Sequence, residues 1–271
     1  MTPSGIITLT TDFGQRDHYV AMMKGVILSI NRVARIVDIT HQIAAGSIAE
    51  GASIIRDAHP FFPLGTVHVG VIDPGVGGPR RPIALVAQNQ FFVGPDNGLF
   101  WPLIEAHGQF DVIHLTNNQY WMHEISATFH GRDIFAPVAA HLSQGVDPFL
   151  MGETIDDPMP LQVPLPRMEG SALVGEIVRI DRFGNLITNI TREHLAPFLE
   201  SKDLTIRIGE LVFNTLSTTY SDVPEAQPLA LIGSSNALEI AVNRGNAARD
   251  LSGEYRIGTA VVVHFGDSPN H

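Results

Sequence analysis

Residues 66–82 read TVHVGVIDPGVGGPRRP. The first eight form an apolar, strand-like run. From Val71 onward, twelve residues hold one aspartate, three glycines, three prolines and two arginines. Glycine and proline suit a tight turn. A turn has no need of Asp73 and Arg80 as well. The carboxylate and the guanidinium are there for each other, for solvent, or for a ligand.

The flanking sequence sets the frame for this loop. Ile6–Thr10 is β-rich and ends at Asp12-Phe13-Gly14. Tyr19–Ile30 places Val20, Met23, Ile27 and Ile30 at helical spacing. RIVDIT (35–40) reads as a strand, and IAEGASIIRDAHPFF (48–62) as a helix stopped by Pro60. With 66–73 as the next strand, the order is β-α-β-α-β, which argues for an α/β layer with parallel strands. PIALVAQNQFFVG (82–94) predicts a hairpin turning at Gln88–Gln90, followed by a helix near Leu99 and another over 133–145. DDPMPLQVPLPRMEG (156–170) holds four prolines and no periodicity, and reads as a linker. Beyond it, ALVGEIVRID, LTIRIG, PLALIG, LEIAVN and TAVVVHF are short β-type segments. The expectation is an N-terminal α/β domain over 1–160 with a mostly parallel central sheet. A smaller, antiparallel, barrel-like β domain is expected over 170–271.

Composition narrows the function. The formal net charge is -11, which argues against nucleic acid as a partner. The chain has no cysteine, so disulfides, thiolate zinc sites and cysteine nucleophiles are excluded. No apolar run approaches the roughly 20 residues of a membrane span. The N-terminus lacks the basic region of a signal peptide, which predicts a cytoplasmic protein. Twelve histidines permit a metal site, but no HExxH or similar ligand pair occurs, and neither a metal nor another cofactor is expected. The glycines of GVGGPR match no phosphate loop, and no GxSxG elbow is present.

Ligands of open α/β sheets bind beyond the carboxyl ends of strands. Asp12 and Asp73 occupy such ends, and His130, in ATFHGRDIFAP, precedes a helix. Each has a structural alternative. Asp12 suits a helix N-terminus, Asp73 and Arg80 suit a loop-stapling ion pair, and His130 suits a hydrogen-bonded core histidine.

Six stretches occur together and in order: TTDFG, DPGVG with Arg80-Arg81, GPDNGL, TFHGRDIFAP, DRFGNLITNI and NALEIAVNRGNAA. In this the chain resembles the S-adenosylmethionine hydroxide adenosyltransferases, relatives of the fluorinases and chlorinases, from residue 6 to about residue 265. The resemblance implies two domains and a homotrimer whose sites lie between neighbouring subunits. It implies hydrolysis of S-adenosylmethionine to adenosine and methionine, with Asp73, Arg80 and His130 around the attacking water. It further implies Asp12 at the ribose diol and Asp17 and Asp181 near the methionine ammonium. Asn185 would read the adenine edge, Phe129, Phe183 and Tyr220 would bound the nucleoside, and Ser234 and Ser235 would lie at the methionine end. Taken singly, Phe129 also suits a core, Tyr220 a surface, and residues 181–185 a plain hairpin turn. Two departures stand out. Gly46 lies where relatives often carry an aromatic over the ribose, and Arg81 beside Arg80 leaves two guanidinium groups to choose between. Three rivals remain open: a halide-using adenosyltransferase, a non-catalytic nucleoside-binding module, and a metal-dependent hydrolase using Asp12, Asp73 and His130.

Overall fold

The computed structural model describes residues 1–106, 108–198 and 204–265. They form two compact units, 1–162 and 163–271, residues 266–271 lying outside the described residues.

The first unit is an α/β layer. Its strands and helices run β1 (Ile6–Thr11), α1 (Tyr19–Ile30), β2 (Arg35–Thr40), α2 (Ile48–Ala58), β3 (Val67–Val71), β4 (Pro82–Ala87), β5 (Gln90–Pro95), α3 (Trp101–Ala106), β6 (Phe110–Leu115), α4 (Ala136–Ser143) and β7 (Gly152–Ile155). The sheet order is β2-β1-β3-β5-β4-β6-β7. β1 pairs in parallel with β2 and β3, and β3 with β5. β4 is antiparallel to both β5 and β6, so β6 points the same way as the parallel strands. β4 and β5 meet in a two-residue turn at Gln88 and Asn89, both in the left-handed region, the backbone that a twisted hairpin favours.

Alternate residues of the central strands feed two cores. On one face, Ile7, Leu9, Val69 and Val71 pack with Met23 and Ile27 of α1 and Val138 and Leu142 of α4. On the other, Ile72, Leu85 and Phe92 pack with Ile55 of α2 and Leu103 of α3. Because both faces are covered, every residue of β3 is buried. The carboxyl ends of β1 and β3 therefore open side by side, and Asp12 and Asp73 follow one and two residues beyond them.

The second unit is antiparallel: β8 (Arg167–Glu169), β9 (Ala172–Ile180), β10 (Leu186–Thr191), α5 (Arg192–Leu195), β11 (Leu204–Ile208), β12 (Leu211–Phe213), β13 (Pro228–Ile232), β14 (Ala237–Val242), α6 (Ala247–Asp250) and β15 (Ala260–Phe265). The sheet order is β12-β11-β15-β9-β10-β14-β13, with β8 on β9. Its barrel-like core is aliphatic, with Ile177, Leu186, Ile206, Leu238, Ile240 and Val263 at the centre.

One core residue of the first unit makes stability pH-dependent. His68 on β3 is buried, stacked on Phe92 at 4.9 Å, with Nδ1 2.9 Å from Thr8 Oγ1. Burial first, and the neighbouring His59 second, push its pKa down to about 3. The unfolded chain takes up this proton near pH 6.5 and the folded chain does not, so acid favours unfolding. This group's stabilising contribution is complete above about pH 6.5. It is lost at about 1.4 kcal/mol per unit as pH falls toward 3. Urea unfolding of the wild type between pH 7 and 5 is expected to show this slope, and His68→Asn to reduce it by about one proton. Equal slopes in the two proteins contradict the assignment.

Candidate functional site

The loop after β3 is built to bring Arg80 back over Asp73. Val76 N–H donates to the Asp73 carbonyl at 3.2 Å, and Gly78 N–H to the Gly75 carbonyl at 3.0 Å. Gly77 has φ +75°, and a Cβ there would collide with the Ala127 carbonyl, so only glycine fits. The two arginines then diverge. Arg81 Nε donates to Asp96 Oδ2 at 2.8 Å and its Nη1 to Asp157 Oδ1 at 2.6 Å, outside the site. Arg80 turns inward. Its Nε lies 3.1 Å from each oxygen of Asp73, and its Nη2 contacts Asp73 Oδ2. The same Nη2 is 2.7 Å from His130 Nδ1. The side chains of Arg80 and Asp73 are 10% and 4% exposed.

His130 arrives from the opposite direction. It caps a five-residue π-helical turn, Gly131–Phe135, that runs into α4. Such turns aim side chains away from regular helical positions. Asp133 anchors the approach: its carboxylate accepts from Ser126 N–H at 2.8 Å and pairs with Arg132 Nε at 2.6 Å. A guanidinium only donates, so His130 Nδ1 accepts, and the neutral ring carries its proton on Nε2. Burial first, then the charge of Arg80, lowers the His130 pKa, which keeps the ring neutral near pH 7. Arg80 also lies over the Phe135 ring, 5.5 Å from its centroid. Its Nη1 is buried and has no acceptor among the described residues. An unpaired buried guanidinium N–H is costly and aims a donor at whatever oxygen enters.

The remaining first-unit candidates cluster in part. Asp12 Oδ2 accepts from Gly46 N–H at 2.8 Å. Gly46 therefore has a role the sequence did not show: it presents its amide to Asp12. Phe129 is buried, with Tyr19 and Phe13 rings at 5.2 and 5.8 Å. These three rings and Arg132 border a cavity of about 370 Å³, within the range of small-molecule sites. Asp17 is exposed in the turn before α1.

In the second unit, Asp181 works inside its own turn. Its Oδ1 accepts from Phe183 N–H and Asn185 N–H, both at 2.9 Å, and its Oδ2 from Asn185 Nδ2 at 3.0 Å. Asn185 is thereby fixed and buried, and its Nδ2 also lies 3.5 Å from Tyr220 Oη. Tyr220 donates to Glu239 Oε2 at 3.2 Å. Phe183 is 74% exposed. Ser234 is exposed and Ser235 half-buried in the turn between β13 and β14, and Ser235 Oγ is shielded with no partner among the described residues. Glu239 sits against the start of that turn, where a Cβ on Gly233 would collide with its carboxylate. Sequence reading passes over Asp133 and gives Glu239 little weight, as part of a core strand. Among the described residues, no group of three or more His, Asp or Glu side chains is arranged to hold a metal ion, and no helix is long and apolar enough to cross a membrane.

Comparison with known proteins places this geometry. Residues 7–152 match the model of the SAM hydroxide adenosyltransferase N-terminal domain, and residues 175–257 that of the corresponding C-terminal domain. The chain belongs to the SAM hydroxide adenosyltransferase family. It is 37% identical to an (R)-S-adenosyl-L-methionine hydrolase of Salinispora tropica, over 93% of this chain and 95% of the relative. A protein of that name from Methanocaldococcus jannaschii is 36% identical over 92% and 93%. A fluorinase of Actinoplanes is 31% identical over 88% and 91%. A crystal structure of a conserved protein from Thermotoga maritima superposes with a TM-score of 0.87 at 35% identity, covering 95% of this chain and 99% of that one.

The Tyr220–Glu239 contact yields a direct test within this family member. Burial first, and the Glu239 charge second, push the Tyr220 phenol up to about 12. Glu239→Gln removes the charge and keeps an acceptor, so the Tyr220 pKa is expected to fall toward its ordinary value near 10. NMR titration of ring-labelled tyrosine measures this. An unmoved Tyr220 resonance titration shows that the carboxylate does not face the phenol.

Proposed function

We infer that the chain hydrolyses S-adenosyl-L-methionine to adenosine and L-methionine by attack of water at the 5′ carbon. The observation that carries this reading is Arg80: a buried guanidinium with two nitrogens engaged by Asp73 and His130 and a third, Nη1, without an acceptor among the described residues. The family membership and the named hydrolase relatives support it.

The chemistry follows from the charges. The sulfonium makes the 5′ carbon electrophilic and lets methionine leave as a neutral thioether. Water is the weak partner, with a pKa of about 15.7. Arg80 Nη1 binds the water oxygen and stabilises the hydroxide character that develops as the C–O bond forms. The water proton leaves to an acceptor of the trio, the Asp73 carboxylate or the His130 imidazole. His130 fixes the plane of the fork. Both partners leave the guanidinium no freedom to reorient, which is the preorganisation such a step requires. The buried carboxylate of Asp73 disfavours an incoming halide by like-charge repulsion.

The substrate contacts belong to the same proposal. Asp12 accepts from the ribose diol, Asn185 reads the adenine edge, and Phe129, Phe183 and Tyr220 bound the nucleoside. Asp17, Asp181, Ser234 and Ser235 face the methionine end. These residues divide between the two compact units, and the proposal takes the protein to be a cytoplasmic homotrimer whose sites are shared between neighbouring subunits. No metal or other cofactor takes part.

Incubation with S-adenosylmethionine in halide-free buffer containing chelator is expected to yield equimolar adenosine and methionine. Arg80→Ala and His130→Ala are expected to lower turnover by about 100- to 1000-fold with smaller effects on binding, because the trio acts mainly at the transition state. Arg80→Lys is not expected to restore the rate, since an ammonium lacks the planar fork. The wild-type rate is expected to hold as pH falls through 6.5 and to drop below it, because protonating His130 removes the acceptor for Arg80 only at its lowered pKa. Wild-type rates in Arg80→Ala and His130→Ala, or loss of activity to the chelator, overturn the proposed site.

A further inference from the structure

A buried titratable side chain beside the Asp12 loop takes no part in the mechanism. His41 follows β2, and its side chain is 1% exposed. Its Nδ1 lies 2.9 Å from Thr11 Oγ1, and that hydroxyl accepts from Phe13 N–H at 3.2 Å. The His41 carbonyl accepts from Gly14 N–H at 2.7 Å. His41 thus holds both ends of Thr11–Gly14, the segment that carries Asp12.

The ring is itself held from behind. Its Nε2 lies 3.1 Å from Asp38 Oδ1, without the alignment of a good hydrogen bond. Asp38 Oδ2 takes a bond from Lys24 Nζ at 2.6 Å. Burial of Asp38 favours its neutral form, but the bond from Lys24 and the adjacent His41 ring outweigh this and hold its pKa below the ordinary value. An anionic Asp38 at Nε2 puts the ring proton there, which leaves Nδ1 to accept from the Thr11 hydroxyl. A bulge precedes this arrangement. Leu9 faces Asp38 across β1 and β2, but Thr10 faces Thr40, and a bulge re-aims the residues that follow it.

A side chain that only fills space at a buried position would be apolar, because a buried imidazole costs free energy unless its nitrogens find partners. Here the partners lead toward one place. Asp12 has two braces: Gly46 N–H on its Oδ2, and the Thr11–His41 contact on the backbone beside it. A carboxylate receives two hydroxyls well only if both its oxygens are fixed.

We propose that His41 is a positioning residue for ribose recognition, holding the Thr11–Gly14 loop so that the Asp12 carboxylate meets both hydroxyls of the nucleoside diol. The inference rests on the hydrolase reading and on Asp12 as the diol acceptor.

The test compares adenosine and 2′-deoxyadenosine binding by calorimetry. The wild type is expected to prefer adenosine, and Asp12→Ala to lose that preference. His41→Leu is expected to reduce the preference by about tenfold, the size of one charged hydrogen bond. His41→Asn, whose amide reaches the Nδ1 position, is expected to recover most of it. In turnover, His41→Leu raises KM more than it lowers kcat. Thr11→Val removes the same contact from the other side with little change in volume, and is expected to reproduce the loss even if His41→Leu fails to fold. An unchanged adenosine preference in a folded His41→Leu, or in Thr11→Val, overturns the role of His41 while leaving hydrolysis and Asp12 intact. A preference that survives Asp12→Ala overturns the premise itself. Failure of the wild type to hydrolyse S-adenosylmethionine overturns the reading beneath both.

Discussion

A guanidinium stays charged at any pH a folded protein meets. Burying Arg80 therefore obliges the fold to supply acceptors, and it does so from segments far apart in sequence. Asp73 comes from the end of β3, seven residues before Arg80, and His130 from the π-helical turn before α4, fifty residues after it. The glycine-rich loop exists to bend Arg80 back onto Asp73, and the Ser126–Asp133 contact exists to present His130. Ion pairs of this kind give little net stability, since desolvation offsets attraction. A buried Arg80 with one donor left over is better explained by a reaction than by folding.

The same design recurs around the site. Loops at the carboxyl end of the parallel strands are held by polar contacts from neighbouring segments. Gly46 and His41 brace the Asp12 loop, Asp73 braces Arg80, and Arg81 ties its own segment to Asp96 and Asp157. In the second unit, Asp181 orders its own turn, and Glu239 fixes Tyr220 beside Asn185. Rigid elements thereby carry side chains whose geometry must be held closely.

Much of this was legible in the sequence. The period of Tyr19–Ile30 and the apolar run before Asp73 announce α1 and β3, because local pattern and tertiary burial agree there. β6 and β7 were not announced. Phe110 and Asp111 are exposed, and β7 is only four residues long with a polar middle, so neither shows an apolar alternation. The residue types of the trio were visible, but their convergence was implied by motif order and not by spacing. Glu239 reads as part of the core strand LEIAVN, and nothing in that pattern marks its carboxylate for a role. It is buried because β14 lies between β10 and β13 and all six of its residues are covered. His41 carries no motif at all. Its role depends on a bulge, and bulges leave no periodic signal.

The central claim is that water, held by Arg80, attacks the 5′ carbon. It is tested most directly by running the reaction in ¹⁸O-labelled water and analysing both products by mass spectrometry. The expected result is one labelled oxygen in adenosine, at the 5′ hydroxyl, and none in methionine. Adenosine without label, or label in methionine, would contradict attack at that carbon.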